Sequence, residues 1–236
     1  MNNLFHKLQE CIRRIPFIYH IVGKVYVKAL QSRFPGSAQY WIRRYDKNGD
    51  SGPGSYSRLS EYKAIFLNEF VKQNRIHSVI EYGCGDGNQL AIAEYQNYLG
   101  FDISEKAIET CKSKFSRDKK KRFKLMDEYS GESAELTLSL DVVYHLIEDS
   151  VFESYMKRLL DSSTRFVIVY SSNTDVQENI QAPHVRHRNF TRYIENSRPE
   201  WTLVTHFPNR FEYKGDPTQG SFADFFVFER RTDEIS

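Results

Sequence analysis

Ser78-Val-Ile-Glu-Tyr-Gly-Cys-Gly-Asp-Gly-Asn-Gln89 reads as a buried strand that runs into a glycine loop and then a helix. Ser78, Val79 and Ile80 form a short apolar run suited to a parallel strand covered on both faces. Glu81 ends it with a carboxylate at the crevice above the strand's carboxyl end. Gly83, Gly85 and Gly87 allow a tight bend and a close approach of backbone to a ligand. A helix starting there would offer unpaired N–H groups to a polar or anionic ligand, and the crevice over the strand ends is the usual binding place in open α/β sheets.

Asn88 stands where a dinucleotide fold places the third glycine of G-x-G-x-x-G, which argues against NAD. A nucleoside site also needs an acid for the ribose hydroxyls about 20 residues past the first glycine. Asp102, in Tyr98-Leu-Gly-Phe-Asp-Ile-Ser104, ends the next strand-like run at that spacing, with Ile103 beside it. The bend and the acid together predict a bound nucleoside.

The segments Glu81-Tyr-Gly-Cys-Gly-Asp-Gly87, Gly100-Phe-Asp-Ile-Ser104 and Leu138-Ser-Leu-Asp-Val-Val-Tyr-His-Leu146 resemble the first, second and fourth motifs of class I S-adenosylmethionine-dependent methyltransferases, over roughly Ser57 to Arg230. The resemblance implies a Rossmann-like α/β fold with a seven-stranded, mostly parallel sheet, an antiparallel last strand and helices on both faces. It also implies S-adenosyl-L-methionine as cofactor and methyl transfer as the reaction. The cofactor set it suggests is Glu81, Gly83, Cys84, Gly85, Gly87, Asn88, Asp102 and Ile103. Asp127 is added for the adenine amino group, with Met126 and Glu128 as alternates, and Asp141 at the exit of the fourth strand. His145 lies beside the sulfonium in the family geometry. As the motif's one side chain with a pKa near neutrality, it is the candidate base.

At 236 residues and 40% hydrophobic content, one core is expected rather than two. The three cysteines, Cys11, Cys84 and Cys111, form no C-x-x-C pair, which predicts a reducing, cytoplasmic setting and no structural zinc. The formal charge of +2 gives no overall field that would call for nucleic acid. The eight basic residues between Lys112 and Lys124 read as a solvated helix end and turn.

Residues 1–34 mix basic with apolar side chains, and Pro16 divides them into two short helices. Such helices can touch an anionic membrane surface, pack on the parent domain or meet a second subunit as a homodimer. Residues 1–56 are expected to form this extension and a lid, 57–230 the methyltransferase domain and 231–236 a polar tail. In the lid, Tyr40-Trp-Ile-Arg-Arg-Tyr45 precedes the turn-rich Asp46 to Ser55. Trp41 and Arg44, with Arg43 as alternate, are the candidates to cover the cofactor and fork its carboxylate. Tyr56 joins the acceptor side.

After the fifth strand, Arg165 to Tyr170, the segment Ala182-Pro-His-Val-Arg-His-Arg-Asn-Phe-Thr191 places His184, Arg186, His187 and Arg188 among loops that build acceptor sites. Guanidinium groups suit a phosphate or carboxylate. The His-x-x-His spacing permits a metal with Asp141 or Asp175, but two histidines are too few to assign one. The lid motif with Ser-Gly-Pro-Gly-Ser-Tyr56 is similar to a bacterial subgroup associated with polysaccharide assembly, which implies O-methylation of a sugar, sugar nucleotide or glycan. Another polar small-molecule acceptor, such as a natural product or phosphorus ester, and a non-catalytic cofactor-binding module stay open beside it.

Overall fold

The computed structural model describes residues 34–177 and 181–231. The expectations for residues 1–33, namely membrane contact or a second subunit, fall outside the described residues, as does the tail 232–236. Among the described residues no helix is long and apolar enough to cross a membrane.

Seven strands form one sheet: β1 (Ser78–Tyr82), β2 (Asn97–Asp102), β3 (Lys121–Leu125), β4 (Ala134–Leu140), β5 (Ser163–Ser171), β6 (Trp201–Phe207) and β7 (Asp224–Arg230). Their order is β3-β2-β1-β4-β5-β7-β6, and β7 runs antiparallel to both neighbours while the first five are mutually parallel. The chain steps outward from β1 to β3 and then returns to the other side of β1 to lay down β4. That reversal opens a crevice above the carboxyl ends of β1 and β4, where neighbouring connections diverge.

Strand alternation sorts the core into two layers. Phe225 and Val227 join Val79, Leu136 and Ile168 on one face; Phe226 and Phe228 join Ile80, Val167 and Val169 on the other. The first face is covered by α2 (Ser57–Gln73) and α3 (Glu105–Lys114), through Leu67, Val71, Ile108 and Cys111. The second is covered by α4 (Asp149–Asp161) and α5 (Phe190–Ser197), through Phe152, Met156, Leu159 and Ile194. Ser104 and Asn189 cap α3 and α5 by accepting from Ala107 N–H and Arg192 N–H.

Three local expectations are corrected. The spacing of Tyr62, Ile65, Phe66, Phe70 and Val71 predicts the inward face of α2; Val71 is buried and Tyr62, Phe66 and Phe70 pack half-buried against the core, but Ile65 is 72% exposed, and Leu59, Ser60, Lys63, Ala64 and Leu67 complete the buried face. The buried face thus includes a lysine, Lys63. Ser60, which the sequence offers as the cap of a helix from Glu61, lies inside the helix instead, and its hydroxyl donates to the Ser57 carbonyl. After the glycine loop only a 3-10 turn forms, Gln89–Ile92, rather than a helix. The lid, in contrast, gains a helix, α1 (Ser37–Asp46), whose first N–H and Ser37 hydroxyl donate to Glu148 just before α4.

Candidate active site

Two adjoining cavities, of about 410 Å³ and about 380 Å³, lie in the crevice. Trp41, Ser51, Asp141 and His145 line both, so these four side chains form the wall between them.

The first cavity is built on the glycine bend. Gly83 and Cys84 N–H donate to the Phe101 carbonyl, which ties the bend to the end of β2. Asp102 is buried and accepts from Gly85 N–H at 3.0 Å and Ser104 N–H at 2.9 Å. Burial raises its pKa, and these backbone donors oppose the rise. The acid and the bend thus form one rigid unit, with Gly85 at φ 57, a conformation side chains rarely adopt. Glu81, Gly83, Cys84, Gly85, Asp102, Ile103 and Asp141, named as cofactor candidates from the motifs, all line this cavity. Met126, Val142 and Leu146 add an apolar stretch beside Ile103.

Lys63 is the residue that sequence reasoning missed. It is 1% exposed, lines the first cavity and places its ammonium 2.5 Å from Asp141 Oδ2. Tyr144 donates to Asp141 Oδ1 at 2.8 Å, so both carboxylate oxygens are held. Asp141 itself has φ 59, strain of about 1–3 kcal/mol that the ion pair and hydrogen bonds maintain. Glu81 is buried close by; Tyr98 donates to it at 2.6 Å. Desolvation pushes the Glu81 carboxyl up to about 7, against the pull of Tyr98 and Lys63. Gln89 lines the same cavity, and its buried Oε1 has no hydrogen-bond partner. Carboxylates, an ammonium and apolar side chains suit a molecule that carries an amino acid, a ribose and a heteroaromatic base.

The segment expected to be a lid packs against this unit through Asp86. Ser51 N–H and the Tyr56 hydroxyl donate to Asp86 Oδ2 at 3.1 and 2.6 Å, Asp86 N–H donates to Ser51 Oγ, and Asn88 donates to the Ser55 carbonyl. A Cβ on Gly85 would overlap Ser51 Oγ and come 2.8 Å from the Tyr45 hydroxyl. The glycine is required because the lid loop rests directly on the bend.

The second cavity is walled by Trp41, Tyr144, His145, His184, Tyr213 and Phe222. His145 stacks edge-on against Trp41 and Tyr144 and donates from Nδ1 to the His184 carbonyl at 2.7 Å, leaving Nε2 unprotonated in the neutral ring. Desolvation lowers the His145 pKa to about 3, and that of His184, stacked on Tyr40 at 4.4 Å, to about 4. His145 therefore sits where the motif predicts, but it is a far weaker base than an ordinary imidazole.

Several predicted site residues are placed elsewhere. Gly87 faces α3: a Cβ there would meet Cys111 Sγ and the Phe115 ring, so this glycine serves helix packing. Tyr56 and Asn88 belong to the lid latch rather than to a cavity wall. Arg44 spends its fork on the carbonyl and carboxylate of Asp50 and lines the second cavity, not the first. Asp127 is exposed beside the crevice, and Met126 takes the place on its wall. Arg186 and Arg188 both pair with Asp149 and donate to carbonyls of Leu146 and Ile147, bracing the loop after β4. His187 does line the second cavity, buried against Ser172. Among the described residues no group of three or more His, Cys, Asp or Glu could hold a metal ion.

The model of the mRNA (guanine-N(7))-methyltransferase domain matches residues 60–188, more than half of the chain. No curated protein matches the sequence. Among solved structures, the N-methyltransferase NodS from Bradyrhizobium japonicum WM9 with S-adenosyl-L-homocysteine superposes with a TM-score of 0.65 at 13% identity, over 84% of this chain and 100% of that one. The methyltransferase domain of bacterial CtHen1-C gives 0.58 at 16% identity, over 74% and 100%. Magnesium protoporphyrin IX methyltransferase from Synechocystis PCC 6803 with bound S-adenosylmethionine gives 0.54 at 15%, over 74% and 79%. At these identities the likeness is one of fold.

Proposed function

The chain belongs to the mRNA (guanine-N(7))-methyltransferase domain family, an S-adenosylmethionine-dependent group, and on that premise we propose that it methylates a ring nitrogen of a planar heteroaromatic acceptor seated in the second cavity. S-adenosylmethionine supplies an electrophilic methyl on sulfur. Asp102 would hold the ribose hydroxyls, Ile103, Met126, Val142 and Leu146 the adenine, and Glu81, Lys63 and Gln89 the amino-acid end. Asp141, fixed by Lys63 and Tyr144, would keep a negative charge beside the sulfonium, and Trp41 and Ser51 would roof it.

The observation that carries the acceptor class is the weak base at the shared wall. His145, held near pKa 3, gains little from taking a proton at neutral pH, and both Asp141 oxygens are already engaged. A sugar hydroxyl must lose a proton during transfer. A ring nitrogen such as guanine N7 attacks through a lone pair and loses none, so alignment suffices. The product is a cation, which aromatic walls favour. The family's name makes guanine the first acceptor to test.

The sugar or glycan hydroxyl implied by the lid motif is the second reading, favoured by Trp41 and Tyr56 in that motif. The two are separated by incubating the chain with methyl-labelled S-adenosylmethionine and either guanine nucleotides or pooled sugar nucleotides, then locating the label. Label on the guanine base supports the first reading. Label confined to sugar hydroxyls overturns it. Cofactor binding without turnover on any acceptor would leave a binding module.

A further inference from the structure

One wall of the second cavity comes from a single loop. Tyr213, Pro217, Gly220, Ser221 and Phe222 all line it, and all lie in the connection 208–223 between β6 and β7. The connection folds back on itself. Ser221 N–H donates to the Phe211 carbonyl at 2.9 Å, and Gln219 and Gly220 N–H donate to the Asp216 carbonyl. A Cβ on Gly220 would stand 2.2 Å from the Glu212 carbonyl oxygen, so the two arms touch through backbone. Residues 211–221 thus form a compact loop whose ends meet, a form that often carries function.

The loop is fixed at two levels. At its base, Asn209 N–H donates to Asp224 Oδ1 at 2.7 Å, and the Asn209 amide donates to the Ala223 carbonyl and the Tyr170 hydroxyl. Residues 212–219 lie farther out and are mostly exposed. They are tied down from α2. Arg58, in the first turn of that helix, donates to the Gln219 carbonyl and lays its guanidinium over the Phe211 ring at 4.6 Å. Tyr62, one turn later, meets the same ring edge-on at 5.8 Å and donates to the Pro208 carbonyl at 3.3 Å. Phe211 is therefore gripped by side chains from successive turns of α2.

We infer that Arg58 is a positioning residue for the acceptor, clamping the β6–β7 loop to α2 so that Tyr213 and Phe222 stand where the acceptor ring needs them. The inference rests on the reading of the second cavity as the acceptor site. Arg58 lines neither cavity, so it acts through the loop. Helix stability does not account for it, because a cation in the first turn opposes the helix dipole. Nor does the core, since Arg58 is exposed while Leu59 and Lys63 beside it supply the buried face. What the guanidinium does hold is one carbonyl and one ring of the loop, which it can grip together because it is both a fork of donors and a flat cation.

The test compares the full chain with its Arg58→Ala and Arg58→Lys variants, using whichever guanine nucleotide or sugar nucleotide takes the methyl label. Arg58→Ala should raise the acceptor KM about 10-fold and change kcat and the Kd for S-adenosylmethionine by less than about 2-fold, with the melting temperature unaltered. Arg58→Lys keeps a donor and a cation for the Phe211 ring, so it should recover most of the KM. Hydrogen exchange, followed with no acceptor present, should quicken about 10-fold at Gln219, Gly220 and Ser221 in Arg58→Ala while the β7 amides keep their rates. An unchanged KM overturns the assignment, as do loop amides that exchange at the wild-type rate. A fall in kcat and melting temperature together also overturns it, by assigning Arg58 to the fold. The position of the label tests the acceptor chemistry, whereas KM and exchange test the clamp, so failure of either is read apart from the other.

Discussion

The ammonium of Lys63 stands 2.5 Å from Asp141 Oδ2, joining the middle of α2 to the exit of β4 across 78 positions of sequence. The lysine is 1% exposed, so its charge is compatible with the core only because the carboxylate answers it. Lys63→Met should therefore cost about 3 kcal/mol of stability, and Lys63→Met combined with Asp141→Asn should recover most of the loss. Urea unfolding of the two variants checks this; additive losses would show that the pair is not the cause. Both variants should also bind S-adenosylmethionine more weakly.

Three buried groups give stability a definite pH dependence. Glu81, raised from 4.5 to about 7, keeps a proton in the folded state that the unfolded chain has lost, so its contribution is full below pH 4.5 and disappears as pH rises through 7. His145 and His184, lowered from 6.5 to about 3 and about 4, stay neutral in the fold while the unfolded chain takes up protons, so stability falls as pH drops below 6.5. Between pH 5 and 6 the two histidines outweigh the one carboxyl, giving a loss of about 1.4 kcal/mol per unit of acidification. Glu81→Gln should roughly double that slope in denaturant titrations.

The neighbouring glycines should separate by phenotype. Gly85→Ala forces a side chain into Ser51 and Tyr45 of the lid, so affinity for S-adenosylmethionine by calorimetry should fall at least about 10-fold. Gly87→Ala presses on Cys111 and Phe115 under α3, so it should lower stability by about 1–3 kcal/mol. Equal effects of the two on affinity would contradict the division.

Phe222 lines the second cavity and not the first. Phe222→Ala should raise the acceptor KM about 10-fold and leave the cofactor Kd unchanged.

His145 stays neutral across the working pH range. His145→Gln should keep the wild-type pH–rate profile between pH 6 and 8, with kcat reduced only through lost packing against Trp41. A profile that loses an acidic limb in this variant would restore the histidine as a base.

The local sequence was enough to place most strands, the bend and the cofactor class. Val79-Ile80 and Phe166 to Tyr170 are apolar over strand lengths, Gly85 marks a backbone that side chains disfavour, and Asp102 follows at the spacing a ribose requires. These signals depend on neighbours within about 20 positions. Tertiary structure alone decided which polar groups meet. Lys63 reads as an ordinary helix-surface lysine until α2 is packed onto the sheet, and Arg44 reads as a carboxylate fork until Asp50 occupies it. Asp86 looks like one more loop residue until Ser51 and Tyr56 close on it from 35 and 30 positions away. Pattern and propensity are properties of a segment, whereas the pairing of a buried charge depends on which oxygen the fold brings within hydrogen-bond reach.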